Sequence, residues 1–270
     1  MTSVGIHPAL QRNNVTVTGD AAGPTIVFAH GFGCSQLSWR HVAPAFEADH
    51  RVVLFDHVGA GESDLTAYDR GKYDSLHGYA SDVLDILDAL DATDVIFVGH
   101  SVSAMIGVLA ANRRPDLFSH LVLVGPSPRY VDEGEYRGGF SKADIDGLLD
   151  ALDANYLGWS TQMAPVIMGN PERPDLGEDL TQSFCRTDPT IARHFAHVTF
   201  LSDNRRDLAG VSVPTHVIQC TEDVIAPDQV GAYVHGAIAG STLTTIPTRG
   251  HIPLLSGPDI LIEAIRRGLQ

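Results

Sequence analysis

The sequence predicts an α/β fold in which a mostly parallel sheet is flanked by helices and interrupted by an inserted block of four helices. Three observations predict it. Short, nearly continuous apolar runs rich in β-branched residues recur along the chain, as strands buried on both faces require. Helical stretches separate these runs, the alternation that builds a covered parallel sheet. After Gly125-Pro126-Ser127-Pro128, about 80 residues follow without a convincing strand before the strand pattern resumes.

Taken in order, Thr25–Ala29 and Arg51–Phe55 read as the first two strands. Leu76, Tyr79, Ala80, Val83, Leu84, Leu87 and Leu90 then fall at helical spacing and give a crossover helix, with Asp74 or Ser75 as its N-cap. Val95–Val98 is the third strand, Met105 to Asn112 a small-residue helix, and Leu121–Val124 the fourth strand. The inserted helices read as Ser141 to Asp153, Trp159 to Met168, Asp175 to Arg186 and Pro189 to Leu201. Asp188-Pro189 suits N-cap and N1 of the last, because the N–H that proline lacks would be unbonded there anyway. Thr215–Cys220, Thr242–Ile246 and a helix from Pro258 to Gly268 complete the chain. The implied division is a core of residues 1–126 and 207–270, with 127–206 inserted as a helical cap.

The 270 residues carry 18 Lys+Arg against 33 Asp+Glu, a net charge of −15, which excludes a phosphate-binding surface and so a nucleic-acid partner. Asp82, Asp85 and Asp88 lie on a predicted helix face, and solvation accounts for such acidity. Met1–His7 shows no basic segment leading into an apolar one, and no run approaches the roughly 18 apolar residues that span a bilayer. Neither export nor a membrane partner is expected. Cys34, Cys185 and Cys220 are odd in number and scattered, which fits structural thiols in a reducing cytoplasm.

Chemistry concentrates after the strands. Gly99-His100-Ser101-Val102-Ser103 follows the third strand, and a nucleophile on a tight strand-to-helix turn needs small neighbours two residues to either side. Ser103 stands where the usual G-x-S-x-G pattern has its second glycine, so the motif alone fits equally an ordinary turn with Ser101 as helix cap. Its company decides: Thr221-Glu222-Asp223 follows one later strand and Gly250-His251 the next, the order of an acyl-transfer triad. His251 would take the Ser101 proton and Asp223 would orient the imidazole, with Glu222 the rival acid. His30-Gly31-Phe32-Gly33 follows the first strand, so the backbone N–H of Phe32, with that of Val102, is the expected oxyanion hole. Gly59-Ala60-Gly61 lacks a dinucleotide fingerprint because Asp64 replaces the third glycine. His194 and His197 have no converging carboxylate or cysteine, and read as ordinary helix histidines rather than metal ligands. Chemistry of this type calls for no cofactor.

With these motifs the sequence resembles the α/β-hydrolases, and within them the RsbQ-like branch, which includes a bacterial stress-response regulator and the plant strigolactone and karrikin receptors. The resemblance extends to the cap segments Val166-Ile167-Met168-Gly169-Asn170, Ser183-Phe184-Cys185-Arg186-Thr187-Asp188-Pro189 and Phe200-Leu201-Ser202-Asp203-Asn204. Ser103 in place of glycine is itself a feature of that branch. The resemblance implies an α/β-hydrolase fold, catalytic Ser101, Asp223 and His251, and a four-helix cap over an apolar pocket. Phe32, Phe140, Trp159, Phe195 and Phe200 are the candidate substrate-binding aromatics, with cap-to-core packing the equal alternative for the last four. The implied function is a serine hydrolase acting on a small, largely apolar ester or lactone through an acyl-serine intermediate. The alternatives are a ligand-sensing regulator with a signalling protein partner, a C–C hydrolase, or a cofactor-free haloperoxidase. A haloalkane dehalogenase is disfavoured, because its nucleophile is a carboxylate.

Overall fold

The computed structural model describes residues 7–270. The absence of an export signal is a reading of Met1–His7, and residues 1–6 lie outside the described residues. In chain order the elements are α1 (Pro8–Arg12), β1 (Thr16–Gly19), β2 (Thr25–Ala29), β3 (Arg51–Leu54), α2 (Leu76–Ala89), β4 (Val95–His100), α3 (Val102–Arg113) and β5 (Phe118–Val124). There follow α4 (Lys142–Ala154), α5 (Tyr156–Met168), α6 (Pro174–Arg186) and α7 (Pro189–Phe200). The chain ends with β6 (Thr215–Glu222), α8 (Asp228–Ala237), β7 (Thr242–Arg249), α9 (Pro253–Ser256) and α10 (Pro258–Gly268).

Seven strands form one sheet in the order β1-β3-β2-β4-β5-β6-β7, parallel except for β1. Strand side chains alternate between faces. Ile26, Phe28, Val98 and Val122 therefore join one apolar cluster, while Val27, Ala29, Phe97 and Leu121 join another. Two apolar faces are the reason these strands read as continuous runs rather than alternating ones. The four helices α4 to α7 occupy the connection from β5 to β6.

Local chemistry sets the helix boundaries. The Ser141 and Asp144 side chains each bond the other's backbone N–H in a capping box that starts α4. Asp188 accepts from the N–H groups of Thr190 and Ile191 at 2.8 and 3.1 Å, with Pro189 at N1, as the sequence predicts. α5 begins at Tyr156, before the expected Trp159, because the Asn155 side chain accepts from Gly158 N–H at 3.0 Å. Ser75 holds the N-cap position of α2 but makes no side-chain bond there.

Four elements carry too weak a pattern to be read from sequence: α1 and α9, of 5 and 4 residues, the mostly exposed edge strand β1, and α8 with its internal Gly231 and Gly236. Asp82 is a correction of a different kind. It is fully buried rather than solvated, accepting from Tyr73 Oη at 2.7 Å and pairing with Arg12 at 2.8 Å. A buried carboxylate persists where such partners replace water. Among the described residues no helix is long and apolar enough to cross a membrane.

Candidate active site

Parallel strands deliver their following loops to one edge of the sheet. The turn after β2, the turn after β4, and the loops after β6 and β7 thus bring together Phe32, Ser101, Asp223 and His251, far apart in sequence. Ser101 sits at φ 57°, ψ −122°, a conformation non-glycine residues rarely adopt, which lifts its side chain clear of the strand-to-helix junction. The reversal is tight. A Cβ on Gly99 would lie 2.5 Å from the Ser103 carbonyl oxygen, a backbone atom that cannot rotate away. Gly99→Ala is therefore expected to lower stability by about 1–3 kcal/mol, and an unchanged urea midpoint would contradict this steric reading.

Ser103, the departure from G-x-S-x-G, is fully buried and bonded. Its hydroxyl donates to the His30 carbonyl at 2.5 Å and accepts from His57 Nε2 at 2.7 Å. His30 Nε2 in turn accepts from the His57 backbone N–H at 3.1 Å. One hydroxyl thus ties the start of α3 to the turns after β2 and β3, a network no local motif announces.

The polar relay is direct. Ser101 Oγ donates to His251 Nε2 at 2.7 Å, and His251 Nδ1 donates to Asp223 Oδ2 at 2.7 Å, with all three side chains buried. Asp223 Oδ1 accepts from the N–H groups of Ile225 and Ala226 at 2.8 and 2.9 Å. Burial alone would raise the Asp223 pKa, but the facing imidazole and these two N–H bonds outweigh it and hold the carboxyl below its ordinary value. Glu222 is exposed and paired with Arg249 at 3.1 Å, so the rival acid lies outside the relay.

The His251 backbone is held from two sides. Its carbonyl accepts from His100 Nε2 at 2.8 Å, and its N–H donates to the Ile167 carbonyl at the end of α5 at 2.9 Å. Burial and the neighbouring His251 push the His100 pKa down to about 3, so the ring stays neutral. Gly250 lies at φ +77°, and a Cβ there would meet the Met168 carbonyl oxygen at 1.9 Å. Glycine is thus what lets the inserted helices seat directly on the His251 loop.

Among the described residues, neither the Phe32 nor the Val102 backbone N–H donates to a protein acceptor. Val102 opens α3, where the first N–H groups have no partner within the helix. A cavity of about 30 Å³ lies over Ser101, walled by Phe32, Tyr130, Trp159, Phe184, Thr199 and Phe200 together with three isoleucines. Burial pushes the Tyr130 phenol up to about 12, so it is neutral at pH 7.

A model of the alpha/beta hydrolase family matches residues 26–264. The chain belongs to the alpha/beta hydrolase family. A probable esterase of Oryza sativa subsp. japonica is 41% identical over 261 residues, covering 96% of each chain. A strigolactone esterase of Arabidopsis thaliana is 40% identical over 265 residues, covering 97% of this chain and 98% of that protein. Among solved structures, a hydrolase from Oleispira antarctica superposes with a TM-score of 0.91 at 38% identity, covering 96% of each chain.

In this alpha/beta hydrolase the candidate aromatics divide. Phe32, Trp159 and Phe200 face the cavity, whereas Phe195 and Phe140 do not line it. Phe195 packs behind Phe32, at ring distances of 5.7 Å from Phe32 and 4.5 Å from Tyr79, because its helical position turns it toward the core. Phe140 is held aside by backbone bonds to Tyr130 and Asp132 at 3.2 and 2.8 Å. The wall residues missed in the sequence are Tyr130, Phe184, Thr199, Ile167, Ile225 and Ile252. Phe184 lies within a quoted cap motif, and Thr199 directly precedes Phe200. Tyr130 has no local signal. His194 and His197 point to separate partners, Tyr68 Oη at 2.5 Å and Asp153 at 2.9 Å. The Gly59–Gly61 turn closes on Asp56, which accepts from Glu62 N–H at 3.0 Å.

Proposed function

We propose that the protein is a serine hydrolase of small, largely apolar esters or lactones that works through an acyl-Ser101 intermediate. The observation that carries this reading is the buried Ser101–His251–Asp223 relay, with both hydrogen bonds at 2.7 Å, opening on an apolar cavity. Ser101 Oγ adds to the carbonyl carbon as its proton passes to His251 Nε2, and Asp223 stabilises the resulting imidazolium. The carbonyl oxygen becomes an oxyanion facing the Phe32 and Val102 N–H groups. Collapse of the adduct expels the alcohol, or opens the lactone ring, with the proton returned by His251. Water activated by the same imidazole then releases the acid. Residues 127–206 act as a lid over residues 7–126 and 207–270. The three free cysteines support a reducing cytoplasm as the site of action.

Mixing the protein with p-nitrophenyl acetate and quenching in acid is expected to leave one acetyl group on the Ser101 peptide, detected by mass spectrometry. Turnover without that adduct, or an adduct elsewhere, would overturn the acyl-serine reading.

A second reading, a ligand sensor whose slow hydrolysis serves binding to a signalling partner, is favoured by the cavity itself. Cap residues Trp159, Ile167, Phe184, Thr199 and Phe200 wall the cavity, and the cap is bonded to the His251 loop, so a ligand that enters presses on both. Ligand occupancy would then be visible at the surface. It is supported by relatives such as the karrikin insensitive 2 receptor CA of Petunia hybrida, 41% identical over 265 residues. Ester-dependent binding of a protein partner that persists in Ser101→Ala would favour this reading; its absence favours plain hydrolysis.

A further inference from the structure

Thr199 of α7 is 1% exposed and lines the cavity over Ser101, yet among the described residues its Oγ1 has no hydrogen-bond partner. Helical serines and threonines commonly satisfy their hydroxyl on the carbonyl one turn back. Among the described residues, Ser81 to His77, Ser160 to Tyr156, Thr161 to Leu157 and Thr181 to Gly177 do so at 2.8–3.0 Å. Thr199 forgoes that bond, although a buried, unsatisfied hydroxyl destabilises the fold. Among the described residues, one other cavity-lining side chain carries an unpartnered buried polar atom, His100. Its Nδ1 is covered by the Gly31 backbone, where a Cβ would lie 2.7 Å away. Thr199 Oγ1 is therefore a buried, unpartnered hydroxyl in the wall of the cavity, which the Tyr130 phenol and the Trp159 indole also line.

We propose that Thr199 is the polar anchor of the substrate, its Oγ1 donating to a substrate oxygen other than the carbonyl attacked by Ser101. The inference rests on the serine-hydrolase reading and narrows its substrate class, from a wholly apolar ester to an ester or lactone carrying a second oxygen. Apart from the Tyr130 phenol and the Trp159 indole N–H, aromatic rings and isoleucines form most of the remaining wall, so an oxygen placed against them is desolvated without a partner and disfavoured. A hydroxyl fixed at that place in the wall reads position as well as polarity.

The test compares matched p-nitrophenyl esters that differ by one methylene-to-oxygen exchange: butyrate with methoxyacetate, and valerate with 3-methoxypropionate. Thr199→Val removes the hydroxyl while keeping the side-chain shape. For at least one pair, the ether-over-alkyl ratio of kcat/KM is expected to fall about 10-fold in Thr199→Val and to be kept in Thr199→Ser. Intrinsic ester reactivity cancels in this comparison, and a merely structural residue would change both esters of a pair alike. Thr199→Val is also expected to melt no lower than wild type. Ratios unchanged for both pairs overturn the proposal. If the wild type turns over none of these esters, the acyl-serine reading fails by itself, and the anchor is read by calorimetric binding of methyl methoxyacetate, methyl 3-methoxypropionate, methyl butyrate and methyl valerate to Ser101→Ala. An ether preference there that vanishes on adding Thr199→Val upholds the proposal, and no ether preference overturns it.

Discussion

Asp223→Asn is expected to lower kcat on p-nitrophenyl acetate about 10⁴-fold while leaving the protein folded. The size of the loss follows from hydrogen-bond direction. The N–H groups of Ile225 and Ala226, at 2.8 and 2.9 Å, both point at Oδ1 and need an acceptor there. An asparagine must therefore place its carbonyl oxygen on them and its NH₂ toward His251. Facing a donor, His251 Nδ1 gives up its proton and becomes the acceptor, which moves the ring proton to Nε2. That nitrogen, 2.7 Å from Ser101 Oγ, can then no longer accept the serine proton. The nucleophile stays in place and the base is disabled. Turnover within 10-fold of wild type, with the fold verified by circular dichroism, would show that Asp223 does not set the tautomer. A parallel loss in Glu222→Gln would return the rival acid to the mechanism; its exposed pairing with Arg249 leads us to expect no more than a twofold change.

Folding stability is expected to fall steeply between pH 6.5 and pH 5, and the cause lies in histidines rather than carboxylates. His57 and His100 are completely enclosed, and burial pushes both below the ordinary imidazole pKa, His57 well below it and His100 to about 3. For His57 the neighbouring His30 adds to the effect, and His30 is itself lowered by burial against the opposing pull of Asp56. As pH drops through about 6.5 the unfolded chain binds protons on these rings and the folded chain does not. Their contribution is thus fully present above pH 6.5 and declines below it. Two such groups give a slope of about 2.7 kcal/mol per pH unit. From pH 7 to pH 5 this removes about 4 kcal/mol, a large share of the 5–15 kcal/mol that holds a typical domain together. The lowered Asp223 acts in the same direction at more acid pH: its contribution is present above the unfolded carboxylate value near 4 and is lost as pH falls through the folded value. Urea unfolding at pH 7, 6 and 5 in about 0.15 M salt, which screens the surface charge, measures the slope. A flat profile would mean that these histidines are protonated in the folded protein.

The elements that could be read directly are those whose signal is local. β2 and β4 announce themselves because both of their faces are buried, which leaves polar residues only at the ends of the run, Thr25 in β2 and His100 in β4. α4 and α7 begin where Ser141 and Asp188 can bond N–H groups within three residues of themselves. The order Ser101, Asp223, His251 is legible for a related reason, since parallel strands must deliver their following loops to one sheet edge whatever fills the intervening chain. By itself, then, the sequence determined the strand and helix grammar and the residues that the sheet edge gathers.

What the tertiary structure alone decided depends on contacts between residues far apart in the chain. Asp82 shares its helix with the exposed Asp85, yet it is buried because Tyr73 and Arg12 reach it. Ser103 looks like a spare substitution until His30 and His57 close around its hydroxyl. Phe195 and Phe200 lie on one helix, but only Phe200 reaches the cavity, while Thr199, which no motif singles out, stands beside it with a free hydroxyl. Periodicity and capping report the forces within a few residues of backbone. Which side chain meets solvent, a partner or a substrate is settled by side-chain direction and by segments that arrive from elsewhere in the chain, and those meet only when the whole chain has folded.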